Sequence, residues 1–565
     1  MWNERFKLSV ILTLIGLLVT GIAIRLVYLQ VYKHEDMNRH AKSQSIKSVA
    51  IYENRGPIFD RSGKHLAVNK KNASLYVYGS EIDDPYRIKL ILNDYGLKMH
   101  DRNYNNLRKK KGFIWIKRNI DVEKAEAITR RYPYINFVLE ENRFYPEGEN
   151  LAKIVGFTGV DNQGLHGIEF SMDDVLRGKK KKLIYLRDSR NRPILLKDKE
   201  FISDSTSSVQ LTIDKNMQKT ASIILKKDMK RFGASKGFAA GMDVKTGEIL
   251  FSTSFPSYIP ENFQDFPKEY WRSMLTNYLF EPGSIFKAFT FGFLLENKLF
   301  APGKEVDCEN GKYVVYNHVF NDVHKYEKLS SEEVFLKSSN IGTIKLMESV
   351  SNKRFYEFLN KTGIGQPIEI EGIPSESGIL RAPDKWSGLS RPSISIGQEV
   401  LVTPLHILSY YAAIANDGVL VRPSVIKAVK HGNKAHELYI EKKRILNKDT
   451  AKQLQYLLRK AVTEGTGENA LSDYLPIAAK TGTAQKYDIR RNAYSYRDYV
   501  ASFVGFFPYT SPEIAMIVVY DSPKKSIYGG STAAFTFKSI AEQIMINKGF
   551  NIKRLRAEIE TKKSS

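Results

Sequence analysis

One cysteine, Cys308, stands in 565 residues, which excludes an intramolecular disulfide framework, a CxxC redox pair and any multi-thiolate zinc or iron–sulfur site. Stability must come from packing. Metal signatures are missing as well. The ten His are scattered, His34-Glu35 lacks the second His of HExxH, and no Asp/Asn loop has EF-hand spacing. Neither GxGxxG nor the Walker pattern occurs, so no metal site and no cofactor is expected, and the chemistry is to be sought in a side-chain nucleophile. Proline is scarce at 20 residues, while 42% apolar and 12% aromatic residues suffice for real cores, which excludes a fibrous repeat and wholesale disorder. Acidic residues are outnumbered, 62 Asp plus Glu against 86 Lys plus Arg, leaving +24. An anionic partner is expected: nucleic acid, anionic lipid or an acidic polymer.

Long apolar runs are also absent, with one exception. Leu8 to Ile24 carries no charge and, at about 1.5 Å per helical residue, spans about 26 Å. After Arg25 the run resumes with Leu26, Val27, Tyr28, Leu29, Val31 and Tyr32, so a snorkelling Arg25 and a Tyr-rich boundary complete a span over residues 8–32. The Arg5 and Lys7 start is shared with secretory signals, but no small-x-small cleavage site follows, which favours an uncleaved anchor. Lys33, Arg39, Lys42 and Lys47 on the far side blur the positive-inside rule. Residues 1–7 are assigned to the cytoplasm because so short a tail carries no function. The body is then expected outside it, and nucleic acid falls away as the partner of the positive charge.

At about 150 residues per domain the length predicts three to four units. Residues 40–200 are charge-rich and mixed, with basic clusters at Arg108–Lys111, Arg130-Arg131 and Lys179–Lys182 that read as solvated faces. Within them Phe113–Ile116 predicts a buried strand and Val122–Arg131 a helix. This is an α+β pedestal without a catalytic constellation. A second domain, 205–550, opens with the strand Val209–Asp214 and the helix Met217–Phe232. Next come Gly237–Val244 and Glu248–Ser254, joined by the turn Lys245-Thr246-Gly247. The helix Ala451–Val462, the strands Tyr499–Phe507 and Ile514–Tyr520 and the helix Ala533–Ile546 follow. Helices and antiparallel strands in blocks favour α+β. Residues 551–565 form a charged tail.

Glu281-Pro282-Gly283-Ser284-Ile285-Phe286-Lys287 places Pro and Gly ahead of a helical run, so Ser284 falls in the first turn with Lys287 on the same face. A neutral Lys amine can take the Ser proton if burial and nearby positive charge hold its pKa down. A lone S-x-x-K is weak, since Ser522-Pro523-Lys524-Lys525 fits it too and reads as a surface turn. Order and context decide. Ser338-Ser339-Asn340 follows, then Lys480-Thr481-Gly482-Thr483 with flanks that suit a strand edge. The competing matches Ser189-Arg190-Asn191, Lys245-Thr246-Gly247 and Lys361-Thr362-Gly363 lack such flanks. Gly482 is needed if a substrate backbone is to lie against that strand. Taken singly, Ser284 could be a helix cap, Ser338 and Asn340 a turn, and Lys480 a solvated strand end.

At these three motifs the sequence resembles the serine penicillin-recognising enzymes. Arg55-Gly56-Pro57-Ile58-Phe59-Asp60-Arg61-Ser62-Gly63, Gly164-Leu165-His166-Gly167-Ile168-Glu169 with Leu176-Arg177-Gly178, and Leu211-Thr212-Ile213-Asp214 with Gln218 extend the resemblance to the class B penicillin-binding proteins. Glu281-Pro282-Gly283-Ser284, Ser338–Gly342 and Ser395–Leu405 resemble the division-specific FtsI type more than the elongation type. Three departures stand out: Ile285 for Thr or Ser, Ala479 for Gly, and Thr532-Ala533-Ala534 for an Ala-Pro pair.

The resemblance implies a membrane-anchored D,D-transpeptidase with a C-terminal antiparallel sheet flanked by helices. Ser284 would attack the D-Ala-D-Ala carbonyl of a peptidoglycan stem peptide, Lys287 would accept its proton and Ser338 would relay one to the leaving amine. Asn340 would hold Lys287 and the substrate amide, while Lys480, Thr481 and Thr483 would bind the terminal carboxylate beside Gly482. Backbone N–H groups of Ser284 and Thr483 would form the oxyanion hole. A neighbouring stem-peptide amine would resolve the acyl-enzyme, and β-lactams would acylate Ser284. The implied partners are a polytopic glycosyltransferase of the FtsW type and other division proteins, and the implied place is the cytoplasmic membrane at the septum. An elongation-specific transpeptidase, a D,D-carboxypeptidase or β-lactamase, and a β-lactam sensor are the alternatives. The large pedestal speaks against a free hydrolase, and the short cytoplasmic tail against a sensor.

Overall fold

The computed structural model describes residues 4–52, 54–99, 101–109, 113–159, 162–178, 180–187, 193–194, 207–370, 373–432, 434–437, 439–488, 490–491 and 493–549. The chain divides into two compact units, Met1–Asn54 with Arg177–Ser205, and Arg55–Leu176 with Thr206–Ser565. The segment 40–200 expected as one pedestal is thus distributed over both. Lys110, Lys111, Lys179 and the tail 551–565 lie outside the described residues.

In the first unit the helix Glu4–Val27 buries none of its residues. With the π-helical turn Tyr28–Tyr32 it is long and apolar enough to cross a membrane. Both of its threonine hydroxyls are satisfied internally, Thr13 Oγ1 donating to Ser9 O and Thr20 Oγ1 to Gly16 O, both at 2.8 Å, as an apolar surrounding requires. Arg25 lies over the Tyr28 ring at 5.5 Å. The helix His34–Ser45 follows, and then Ile46–Tyr52 pairs antiparallel with Lys180–Arg187, which pairs with Pro193–Ile194.

The second unit holds two large sheets. In one, the long strand His65–Tyr78 pairs antiparallel with Phe113–Ile120 and Asn136–Phe144. The helices Pro85–Asp94, Asp101–Arg108 and Val122–Arg131 accompany it, and Leu75, Val77, Ile88, Leu92, Ile116 and Ile128 form a common core. Asp84 and Asp121 cap two of these helices by accepting from Tyr86 N and Glu123 N, each using a carboxylate on orphan N–H groups. The same sheet runs on through Ile58–Phe59, which pairs parallel with Val209-Gln210, and through Ser207–Leu211, which pairs antiparallel with Ile426–His431. Strands from before residue 200 and from after it therefore share one hydrogen-bonded ladder.

Beside this ladder Arg55 Nε donates to Glu169 Oε2 at 2.5 Å, Arg143 Nε to Glu169 Oε1 at 2.6 Å, and Arg55 Nη1 to Asp173 Oδ1 at 2.5 Å. Arg55 and Glu169 come from two of the motifs quoted above, and both are buried. A buried carboxylate is tolerated because two guanidinium groups face it.

The second sheet has five antiparallel strands in the order Ile249–Phe255, Lys236–Asp243, Ile514–Asp521, Ala493–Phe507, Ala478–Asp488. Every residue of Ile514–Asp521 is buried, because both faces are covered. Met516, Val518 and Tyr520 share a core with Leu225, Phe537 and Ile540, from the helices Lys215–Phe232 and Ala533–Asn547. Ile517 and Val519 belong to the other core, with Phe289, Leu405 and Leu408. A two-sided antiparallel strand reads as a continuous apolar run for the same reason that parallel ones do. Asp214, read as the last residue of a strand, is instead the N-cap of the helix that follows and accepts from Asn216 N and Met217 N.

Candidate active site

Gly283 opens the nucleophile turn at φ 56°, and its N–H donates to Gly397 O at 2.9 Å. A Cβ at Gly283 would lie 3.0 Å from Thr483 O, so the turn tolerates only glycine there on both conformational and steric grounds. The 3₁₀ turn Gly283–Phe286 then feeds the helix Lys287–Glu296. Ser284 is part-exposed and Lys287 wholly buried. Behind them the helix Pro404–Ala415, which starts at the Thr403 cap with Pro at its first position, presents Tyr411, whose hydroxyl donates to Ile285 O at 2.8 Å. Thr290 Oγ1 donates to Ser395 O at 2.7 Å. The Ser395–Leu405 stretch thus supports the nucleophile turn from the main chain.

The second motif joins the helices Ser331–Leu336 and Asn340–Leu346. Ser338 sits at φ 59°, a left-handed conformation that non-glycine residues hold only where the surroundings dictate it. Lys287 Nζ donates to Ser338 O at 2.6 Å, Asn340 Oδ1 at 2.8 Å and Ser338 Oγ at 3.3 Å. The first two motifs meet at this amine.

Lys480, Thr481, Gly482 and Thr483 lie on the edge strand Ala478–Asp488. A Cβ at Gly482 would come within 2.9 Å of Ile285 Cγ2 and 3.2 Å of Pro282 O, so the third motif abuts the nucleophile turn. Lys480 is buried, 5.8 Å from the Phe335 ring, and its Nζ has no hydrogen-bond partner among the described residues. Thr481 Oγ1 shares a 2.6 Å hydrogen bond with Thr466 Oγ1, and Thr483 Oγ1 accepts from Gly529 N at 3.2 Å. Ala479 stands opposite Gly505, and a Cβ on Gly505 would be 2.4 Å from the Ala479 Cβ. The methyl that departs from the family pattern is accommodated by a glycine on the neighbouring strand.

The competing matches are elsewhere. Ser522 follows a strand and donates to Asp521 Oδ1 at 2.8 Å; it is buried with Pro523, while Lys524 and Lys525 are exposed. Lys245 occupies a hairpin turn, and Lys361 ends a helix. Ser189-Arg190-Asn191 lies outside the described residues.

Burial lowers the Lys287 amine to about 7 even though Asp322 works the other way. Lys480 is held well below the usual lysine range by burial first and by the Lys287 charge second. Two buried amines side by side disfavour double protonation. Two carboxyls to which the sequence assigns no role lie against these elements. Asp322 accepts from Ser339 Oγ at 2.6 Å and from Asn340 N at 2.5 Å, and nothing in its loop marks it. Glu281, three residues before Ser284, accepts from Glu399 N at 2.8 Å and from the Tyr494 hydroxyl at 3.0 Å, and burial pushes it up to about 7. Among the described residues no three His, Cys, Asp or Glu side chains gather to hold a metal ion.

A part-exposed serine, a buried lysine whose proton affinity is lowered to neutrality and a lysine on a facing sheet edge define the class: serine acyl-transferring enzymes of the penicillin-recognising fold. Residues 237–542 match the penicillin binding protein transpeptidase domain and residues 50–211 the penicillin-binding protein dimerisation domain. The chain is 30% identical over 550 residues to "Probable peptidoglycan D,D-transpeptidase PbpC" of Pseudomonas aeruginosa, covering 95% of this chain and 94% of that one. It is 28% identical over 531 residues to "Peptidoglycan D,D-transpeptidase FtsI" of Escherichia coli K12, covering 91% and 87%. The structure of penicillin-binding protein 3 from Mycobacterium tuberculosis, complexed with ampicillin, superposes with a TM-score of 0.69 at 24% identity, covering 89% of this chain and 96% of that one. That likeness bears on the fold. The chain belongs to the penicillin-binding protein transpeptidase family; it is a class B member of the FtsI type and a peptidoglycan D,D-transpeptidase.

Proposed function

We propose that this chain cross-links stem peptides during septal wall synthesis through an acyl-enzyme on Ser284. The observation that carries the reading is the Lys287 amine, buried, lowered to about 7 and hydrogen-bonded to both Ser338 and Asn340. Its neutral form takes the Ser284 proton as Oγ attacks the carbonyl between the two terminal D-Ala residues. The proton passes by way of Ser338 to the departing D-Ala amine. Lys480, without a hydrogen-bond partner among the described residues, receives the terminal carboxylate along the edge strand, with Thr481 and Thr483 beside it. An amine of a second stem peptide then attacks the ester, forming the cross-link and returning the proton to Ser284. β-Lactams enter by the same first step.

The apolar helix anchors the chain with its body outside the cytoplasm, where acidic wall polymers and anionic lipid headgroups face the +24 charge. The likeness of Ser338–Gly342 and Ser395–Leu405 to the FtsI type supports a division role with a polytopic glycosyltransferase partner. Incubating the detergent-solubilised chain with fluorescent penicillin and mapping the adduct by mass tests the chemistry. Wild type should be labelled on Ser284 and Ser284→Ala should not; equal labelling, or an adduct on Ser522, overturns it. Depletion that rounds cells instead of making filaments would replace the septal role with an elongation role.

A further inference from the structure

Asp322 belongs to none of the three motifs. It ends the hairpin of Lys312–Val315 and His318–Asn321, yet its carboxylate lies against the second motif. Oδ2 accepts the Ser339 hydroxyl at 2.6 Å, and Oδ1 accepts Asn340 N at 2.5 Å and Ile341 N at 3.2 Å. The carbonyl of its neighbour Asn321 accepts Asn340 Nδ2 at 2.9 Å. With Nδ2 tied there, Asn340 Oδ1 faces the Lys287 amine.

A helix cap alone does not account for these contacts. Ser339 already caps the helix through Gly342 N at 2.9 Å, and Asp322 adds charge-assisted bonds to the three residues that follow Ser338. Ser338 is the residue held at φ 59°, a conformation that persists only when its neighbours impose it. We infer that Asp322 is a positioning residue for acylation, holding the Ser338–Asn340 turn in the geometry that receives Lys287.

The carboxylate also acts through its charge. It raises the proton affinity of Lys287 against the burial that lowers it. The other ionisable groups around the pair are Lys480 on the edge strand, Cys308 and Tyr326 near the carboxylate, Asp307 near Cys308, and Lys345, which is paired with Glu309 at 2.5 Å. None of them substitutes for a carboxylate bonded to Ser339 and Asn340.

The test uses the full chain in detergent, with the second-order rate of acylation by fluorescent penicillin measured across the pH range on either side of neutrality. Asp322→Asn keeps the size and one acceptor but removes the charge. Its plateau rate should fall about tenfold, the loss expected for one charge-assisted hydrogen bond, and its acid limb should move to lower pH because Lys287 loses its proton more readily. Asp322→Glu keeps the charge and displaces the carboxylate, so its plateau should fall while its acid limb stays in place. An Asp322→Asn plateau and acid limb both equal to wild type overturn the inference. So does an acid limb unmoved in Asp322→Asn with a rate loss that only tracks a lowered melting temperature. Should Asp322→Asn not fold, an Asp322→Glu plateau equal to wild type does the same. The inference rests on Ser284 as nucleophile, and failure of that reading shows separately as labelling of Ser284→Ala.

Discussion

Replacing Glu281 by Gln should stabilise the protein, and only above a defined pH. Glu281 Oε1 accepts from Glu399 N and the Tyr494 hydroxyl, while Oε2 is buried without a partner among the described residues. Burial outweighs the Tyr494 hydrogen bond and moves the carboxyl from its ordinary 4.5 to about 7. Between those values the folded state holds a proton that the unfolded chain has released, so stability falls as pH rises through that window. At about 1.4 kcal/mol per pH unit, the cost to the folded state above pH 7 is about 3 kcal/mol; below 4.5 it vanishes. Gln is neutral at every pH and keeps the oxygen that accepts both bonds. Melting temperatures of wild type and Glu281→Gln, recorded across this window, should coincide at its acid end and separate by several degrees at its alkaline end. A difference that is constant with pH, or a wild type that gains stability between pH 5 and 7 relative to the variant, refutes the reasoning.

Acylation by penicillin should rise through about pH 7, because only neutral Lys287 accepts the Ser284 proton and burial holds it near that value; a pH–rate profile flat across neutrality would remove Lys287 as the base. Gly482→Ala places a methyl 2.3 Å from Ser502 Oγ on the neighbouring strand and 2.9 Å from Ile285 Cγ2 on the Ser284 turn, so the edge strand must shift. It should lower acylation at least about tenfold while costing about 1–3 kcal/mol of stability, as read by labelling kinetics and melting together. Arg55→Met strips Asp173 of a partner and leaves Glu169 with Arg143 alone. A loss of about 3–5 kcal/mol is expected in denaturant titration, with the acylation rate per folded molecule unchanged.

Much of the architecture is legible in the chain because local chemistry decides it. Val122–Arg131 forms the helix read from its pattern, and the structure adds Asp121 as its cap. The turn Lys245-Thr246-Gly247 closes the hairpin between Lys236–Asp243 and Ile249–Phe255. The helix Glu4–Val27 follows from an uncharged apolar run. Strand ends were less legible: Asp214 left the strand because its carboxylate is worth more on the orphan N–H groups of the next helix.

The three motifs were legible for a different reason. Each is a short string whose chemistry depends on neighbours in sequence: Pro-Gly ahead of Ser284, one turn from Ser284 to Lys287, small residues around Lys480. Sequence by itself therefore marked Ser284, Lys287 and Lys480 as the candidates, the first two at the start of a helix and the third on a strand. What only the tertiary structure decided is their electrostatics and their support. Whether Lys287 is near neutrality depends on its being wholly buried, against the opposing charge of Asp322. The carboxyl that acts on this site, Asp322, and the guanidinium of Arg143 that completes the Glu169 cluster carry no local signature, and nothing beside Glu281 in the chain marks it as buried. A pKa and an ion pair are set by what lies within a few ångströms in space, and chain folding brings those groups together from distant positions.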